Sequence, residues 1–336
     1  VSDEGFEVKM TAKQKVLVIG ASGFLGGHLV KELIRQQYSV RVMVRASSNL
    51  QALAGLVYEK AIGDVDDVES MKAAMAGCDW VFHSAVNTSA WLLNSGPLYQ
   101  TNVLGVVNAV TAAKASDIKK FVLTSSLVTV GKNHTGISTE KDYPALGDLF
   151  VDYMKTRFLA EKYVLEQFVE SGFPAVACCV SNTYGPDDLG PTPHGQLIRQ
   201  VALGRVPVYL KASAECVGVV DAAKALILAA EKGRNGERYI VSDRYMTNRE
   251  IFAIAADQAG VRVPNIAFPT FLVYVGTSLL ELISRLTGLT LLTNNAAKLM
   301  YRTWPFSHQK AVDELGWQPA PVENAIRAAI DSYLKR

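Results

Sequence analysis

Lys15-Val-Leu-Val-Ile19-Gly20-Ala-Ser22-Gly23-Phe24-Leu25-Gly26-Gly27-His28 is the stretch whose reading decides the fold. Residues 15–19 form a short β-branched run that stops at Gly20. From Phe24 to Gln37 the apolar positions Leu25, Leu29, Leu33 and Ile34 recur at helical spacing. Glycines between a strand and a helix let the backbone turn tightly and approach a pyrophosphate, which then meets the free N–H groups of the helix start. A ligand-free turn could use the same glycines. Their place after a strand, before a helix and at the head of an alternating chain favours the phosphate reading.

Working outward, strands are expected over 40–44, 57–62, 80–82, 120–124 and 174–180, with helices over 67–75, 98–115 and 151–170 between them. Strands alternating with helices imply an α/β architecture, a parallel sheet covered on both faces by right-handed crossovers. After Tyr184 the alternation breaks into a turn-rich loop over 185–194. Helices follow over 195–203, 221–231, 247–259, 270–286 and 321–335, the third opening with Thr247-Asn-Arg-Glu250, a capping-box pattern.

The chain has 336 residues, 49% of them hydrophobic, which excludes disorder and suffices for a core without disulfides or metal staples. With 34 basic and 32 acidic side chains its net charge is +2, which does not suit a nucleic-acid binder. Cys78, Cys178, Cys179 and Cys216 have apolar surroundings and no metal-ligand spacing, and they read as small core residues in a reducing compartment. The acidic first ten residues do not resemble a signal peptide, and the apolar stretch 268–280 is too short to span a bilayer. A cytoplasmic protein with a small-molecule substrate, no nucleic acid, no membrane span and no metal is expected. His83, His134, His194 and His308 are scattered without ligand spacing.

The spacing of Gly20, Gly23 and Gly26 resembles the short-chain dehydrogenase/reductase superfamily, and Gly-Ala-Ser-Gly-Phe-Leu-Gly resembles its extended branch. The resemblance runs over nearly the whole chain from Lys15. It implies a Rossmann-type doubly wound parallel sheet over 12–181, with 213–242 returning to it. A small, mainly helical substrate lobe would take 182–212 and 243–336, and residues 1–11 an N-terminal extension. Three stretches are similar to narrower groups, the bacterial dihydroflavonol-4-reductase-like proteins and the hopanoid-associated sugar epimerases. They are Trp91, Gly190-Pro-Thr-Pro-His194-Gly195 and Glu314-Leu-Gly-Trp-Gln-Pro319. The 3β-hydroxysteroid dehydrogenases are a near relation. A homodimer built from two long helices is common in the superfamily.

Gly20, Ser22, Gly23, Phe24, Leu25 and Gly26 are the expected cofactor loop, with Ser84 and Ala85 lining the cofactor after the fourth strand. The second strand ends Val44-Arg45-Ala-Ser47-Ser48, without the acidic residue that holds an NAD ribose. Arg45 either grips a 2′-phosphate in a forked contact or is a solvated strand-end arginine. NADP is the expected cofactor, with NAD second. Asp64, beside Val65, meets the adenine or caps the next helix.

Ser126 and Tyr153 match the superfamily's catalytic serine and tyrosine, the tyrosine exchanging the carbonyl oxygen's proton while hydride passes to or from a nicotinamide. Where the family has lysine, one turn after the tyrosine, stands Arg157, while Lys155 projects from another side of the helix. Arginine keeps the positive charge but not an ammonium's geometry, so a working variant, a weakened enzyme and a binder without turnover all stay open. Asn182 in Asn-Thr-Tyr-Gly-Pro resembles the asparagine with which nucleotide-sugar epimerases and dehydratases meet a diphosphate, and could equally cap a turn. His194 faces the substrate cleft by position.

The expected activity is an NADP-dependent reduction of a carbonyl, or oxidation of a secondary alcohol, on a small to medium apolar molecule. The alternatives are a nucleoside-diphosphate-sugar epimerase or dehydratase with tightly bound NAD, and a non-catalytic NADP-binding sensor or scaffold.

Overall fold

A computed structural model describes residues 13–89, 94–287, 294–301 and 304–335. Trp91 and the extension 1–11 lie outside them. Seven strands, β1 (Lys15–Ile19), β2 (Ser39–Val44), β3 (Glu59–Ile62), β4 (Trp80–His83), β5 (Lys120–Ser126), β6 (Ala175–Val180) and a later one, Arg238–Val241, make one sheet. Every pairing in it is parallel, and the later strand (β10 once the lobe strands are numbered) sits at one edge in the order β10-β6-β5-β4-β1-β2-β3. The order reverses between β1 and β4, the crevice where ligands of doubly wound sheets bind.

Helices cover both faces because the inner strands β1, β4, β5 and β6 are largely apolar on both sides. On one face lie α1 (Phe24–Arg35) and, from further along the chain, Val219–Lys232 and Gln309–Leu315; Leu29, Leu33, Leu226 and Trp317 fill the core there. On the other lie α2 (Val68–Met75), α3 (Gly96–Tyr99), α4 (Gly105–Lys114) and α5 (Asp152–Ser171), with Met71, Met75, Val110, Phe121 and Val164 between them and the sheet. The single helix expected over 98–115 is interrupted by a π turn at Gln100–Leu104. Such turns shift the register of the helix by one residue. Here Asn102 is turned into the core, fully buried.

The lobe is built from β7 (Asn182–Tyr184), β8 (Val208–Leu210), β9 (Ser213–Gly218), β11 (Arg244–Thr247) and β12 (Ile266–Phe268). Its helices are α6 (Pro193–Ala202), α8 (Asn248–Ala259), α9 (Thr270–Thr287), α10 (Asn294–Tyr301) and α12 (Val322–Leu334), the two helices named above being α7 (Val219–Lys232) and α11 (Gln309–Leu315). The strands pair as β11-β9-β7 and β12-β8. Ile198, Phe252, Ile326 and Ile330 bind the lobe together. The capping box forms as the sequence predicts: Thr247 Oγ1 accepts from Glu250 N at 3.2 Å while Glu250 Oε2 accepts from Thr247 N at 2.7 Å. Among the described residues no helix is long and apolar enough to cross a membrane.

Candidate active site

The carboxyl ends of β1, β4, β5 and β6 open into a cavity of about 1030 Å³ roofed by the lobe. Its floor is the glycine turn. Gly20 has φ +88°, a conformation that suits glycine, and a Cβ there would lie 2.5 Å from Ala85 N and 2.6 Å from the Ser84 carbonyl carbon. A Cβ on Gly26 would overlap the Gly20 carbonyl oxygen and lie 2.9 Å from its carbon. Gly23 N donates to Gly20 O at 3.1 Å, closing the turn. Gly23 is the N-cap of α1 and no side chain caps that helix. Its first-turn N–H groups are therefore left for an anion, beside the cavity-lining Ser22, Gly23, Phe24, Leu25 and Gly26. These residues fit a dinucleotide pyrophosphate.

Arg45, Asp64, Val65, Ser84 and Ala85 line the same cavity. Arg45 is exposed, its backbone N–H bonded to Ser48 Oγ at 3.1 Å. Asp64 does not cap α2. That cap is Asp67, which accepts from Glu69 N at 3.0 Å and Ser70 N at 3.2 Å, because Asp67 immediately precedes the helix. Ser84 Oγ pairs with Thr124 Oγ1 at 2.6 Å, tying β4 to β5 at the cavity floor.

Ser126, Tyr153 and Arg157 come together on this cavity. Ser126 ends β5, and its Oγ receives only a long 3.5 Å contact from Val128 N. Tyr153 sits in the first turn of α5, half-buried against Leu149, Val151 and Met154. Arg157, one turn on, is 2% exposed; its Nη2 donates to the Thr124 carbonyl oxygen, and its Nε has no partner among the described residues. Burial lowers its pKa, as it must for a cation taken from water. Lys155 points outward to an ion pair with Asp152 at 3.2 Å. Thr156 Oγ1 donates to Tyr153 O at 2.9 Å and accepts from Asn102 Nδ2 at 3.2 Å, so the π turn fixes the start of α5. His83, at the end of β4, is fully buried with both ring nitrogens unpartnered among the described residues. Burial first, and then the Arg157 charge, push its pKa down to about 4.

On the lobe side, Asn182 and His194 line the cavity. His194 Nε2 donates to Thr183 O at 2.8 Å, which leaves Nδ1 as an acceptor in the neutral ring, and burial lowers the pKa of that ring.

Three features were not singled out from sequence. Thr124 carries both the Ser84 bond and the Arg157 contact. Behind Ser126, Glu161 accepts from Ser125 Oγ, from Thr129 Oγ1 at 2.7 Å and from Arg238 Nη1 at 2.8 Å, the two charged side chains each 2% exposed. Third, Ser181 and Glu215 line the lobe side of the cavity. Sequence offered a signal only for Glu161, in the Phe-Leu-Ala-Glu stretch after Arg157.

The family model described as NAD dependent epimerase/dehydratase matches residues 16–242. The chain is 31% identical over 253 residues to sterol demethylase protein B of Methylococcus capsulatus, covering 75% of this chain and 77% of that one. It is 28% identical over 339 residues to a 3-beta-hydroxysteroid dehydrogenase of Mycolicibacterium neoaurum, covering 95% and 91%. Among solved structures it resembles UDP-glucose 4-epimerase of Thermus thermophilus in complex with NAD, with TM-score 0.76, 20% identity and coverage of 95% and 99%. It also resembles dTDP-glucose 4,6-dehydratase of Bacillus anthracis in complex with NAD, with TM-score 0.73, 19% identity and coverage of 96% and 97%. The expectation of NADP is corrected by these two solved relatives, both of which hold NAD. Arg45, the residue on which that expectation rested, lines the cavity with its side chain exposed to solvent.

Proposed function

The chain belongs to the NAD dependent epimerase/dehydratase family, and on that premise we propose that it binds NAD and oxidises a secondary alcohol carbon of a small molecule, the hydride then returning to the same molecule. The observation that carries this is the meeting of Ser126, Tyr153 and Arg157 with the glycine cradle on one cavity. NAD, when bound, supplies the hydride acceptor. Tyr153 Oη takes the proton of the substrate hydroxyl as the carbonyl forms and gives it back on reduction. Ser126 Oγ, almost free of internal partners, donates to the same oxygen. Arg157 stands in for the family's lysine, and its fixed charge beside Tyr153 favours the anionic oxygen that proton removal creates.

The return of the hydride, rather than release of an oxidised product, follows the epimerase and dehydratase character of the family match and of the solved relatives. A second reading, release of a ketone by a simple dehydrogenase, is favoured by the likeness to 3-beta-hydroxysteroid dehydrogenase along almost the whole chain. The test is Tyr153→Phe. With NAD affinity unchanged, turnover should fall at least ~100-fold, the usual worth of a positioned acid/base. Unchanged turnover would remove Tyr153 from the chemistry. Absence of NADH accumulation during turnover separates internal return from release.

A further inference from the structure

Glu215 is 6% exposed, lies on β9 and lines the lobe side of the cavity. Its Oε2 accepts from Ser242 Oγ at 2.5 Å and its Oε1 from Phe306 N at 2.8 Å. Among the described residues no cation lies within ion-pair distance of it. A carboxylate has about four lone-pair directions, so two remain. Burial pushes its pKa up, which marks how poorly the site solvates the charge. Beside it stands a second polar group. Asn182 pairs with Cys216 in the parallel β7–β9 register, and Ser181 and Glu215 are the residues that precede that pair on the two chain segments. Ser181 also lines the cavity, and its Oγ is buried without a partner among the described residues. Buried polar groups left incomplete at a cavity wall are groups a ligand completes.

We propose that Ser181 and Glu215 form a polar subsite that reads an uncharged hydroxyl group of the substrate away from the reacting carbon, rather than a phosphate. Glu215 accepts the substrate O–H, and Ser181 Oγ donates to the same oxygen. A diphosphate placed there would face a carboxylate that has no cation beside it among the described residues, a like-charge contact in a poorly solvated site. Trp304 and Phe306 lie ring on ring at 5.6 Å between centroids and give the subsite an apolar rim. The inference rests on the proposed substrate cavity, but not on the reaction performed there.

The test uses calorimetric binding to the NAD-loaded protein, with a decalin diol, its monomethyl ether and UDP-glucose as probes. The diol should bind about tenfold or more tightly than the ether, the worth of one hydrogen bond to a charged group. Glu215→Gln keeps the Phe306 and Ser242 contacts and loses the charge; it should erase most of that preference without changing NAD affinity. Ser181→Ala should erase a smaller part. Equal binding of diol and ether, no binding of either, an undiminished preference in Glu215→Gln, or tighter binding of UDP-glucose than of the diol would each overturn the subsite. Binding as expected without turnover would instead count against the proposed reaction.

Discussion

Replacing Arg238 by methionine tests how the carboxyl end of β5 is held. The guanidinium donates to Glu161 Oε1 at 2.8 Å, to Glu140 O at 2.8 Å, to Asp142 O at 3.0 Å and to Thr129 O at 3.2 Å. Methionine fills similar space but leaves three carbonyls and one buried carboxylate without that donor. Breaking a buried pair from one side costs about 3–5 kcal/mol, because the remaining charge is stranded. Against a whole-protein stability of roughly 5–15 kcal/mol this is a large share. With a urea slope of about 3 kcal/mol per molar, the unfolding midpoint should fall by about 1–1.7 M. The double variant Arg238→Met, Glu161→Gln removes the stranded charge and should be more stable than Arg238→Met alone, a coupling that a double-mutant cycle reads directly. A single-variant loss below about 1 kcal/mol, or strictly additive effects in the cycle, would refute the reasoning.

Three further outcomes follow from the geometry. Gly26→Ala drives a Cβ into the Gly20 carbonyl, so NAD affinity measured by calorimetry should fall at least ~100-fold even if the protein folds; an affinity within about threefold of wild type contradicts the cradle. His83 is buried and its pKa is depressed to about 4 from 6.5, so its contribution is present above about pH 6.5 and is lost as pH falls toward 4. At about 1.36 kcal/mol per pH unit that gap is about 3 kcal/mol, and His83→Phe should flatten the acid loss of stability by up to that amount in urea titrations at about pH 7 and about pH 4.5. An acid loss unchanged in the variant would exclude His83 as its source. Asp67→Ala removes the α2 cap and should cost about 1 kcal/mol, whereas Asp64→Ala should leave α2 intact by the same measurement; the reverse ranking would contradict the cap assignment.

Much of the fold was legible because its signals are local. The strands β1 to β6 and the helices between them follow from short strand-like and helix-like runs stopped by turn residues, whereas Tyr153 and Arg157 are singled out by resemblance to the superfamily's catalytic motif. Ser126, Tyr153 and the glycine turn could be expected to meet because the carboxyl ends of parallel strands share one edge. What sequence did not show depends on separation along the chain. Glu161 and Arg238 are 77 residues apart, and only the β10–β6–β5 order brings them together. Ser181 and Glu215 come to line one cavity through the pairing of β7 with β9, which no spacing announces. The π turn at Gln100–Leu104 falls inside a stretch whose apolar spacing predicts one continuous helix.

The most direct measurement is a calorimetric titration of the purified protein with NAD and, separately, with NADP. Tighter binding of NAD is the predicted result. Tighter binding of NADP, or no binding of either, would contradict the assignment of this cavity to an NAD-dependent reaction.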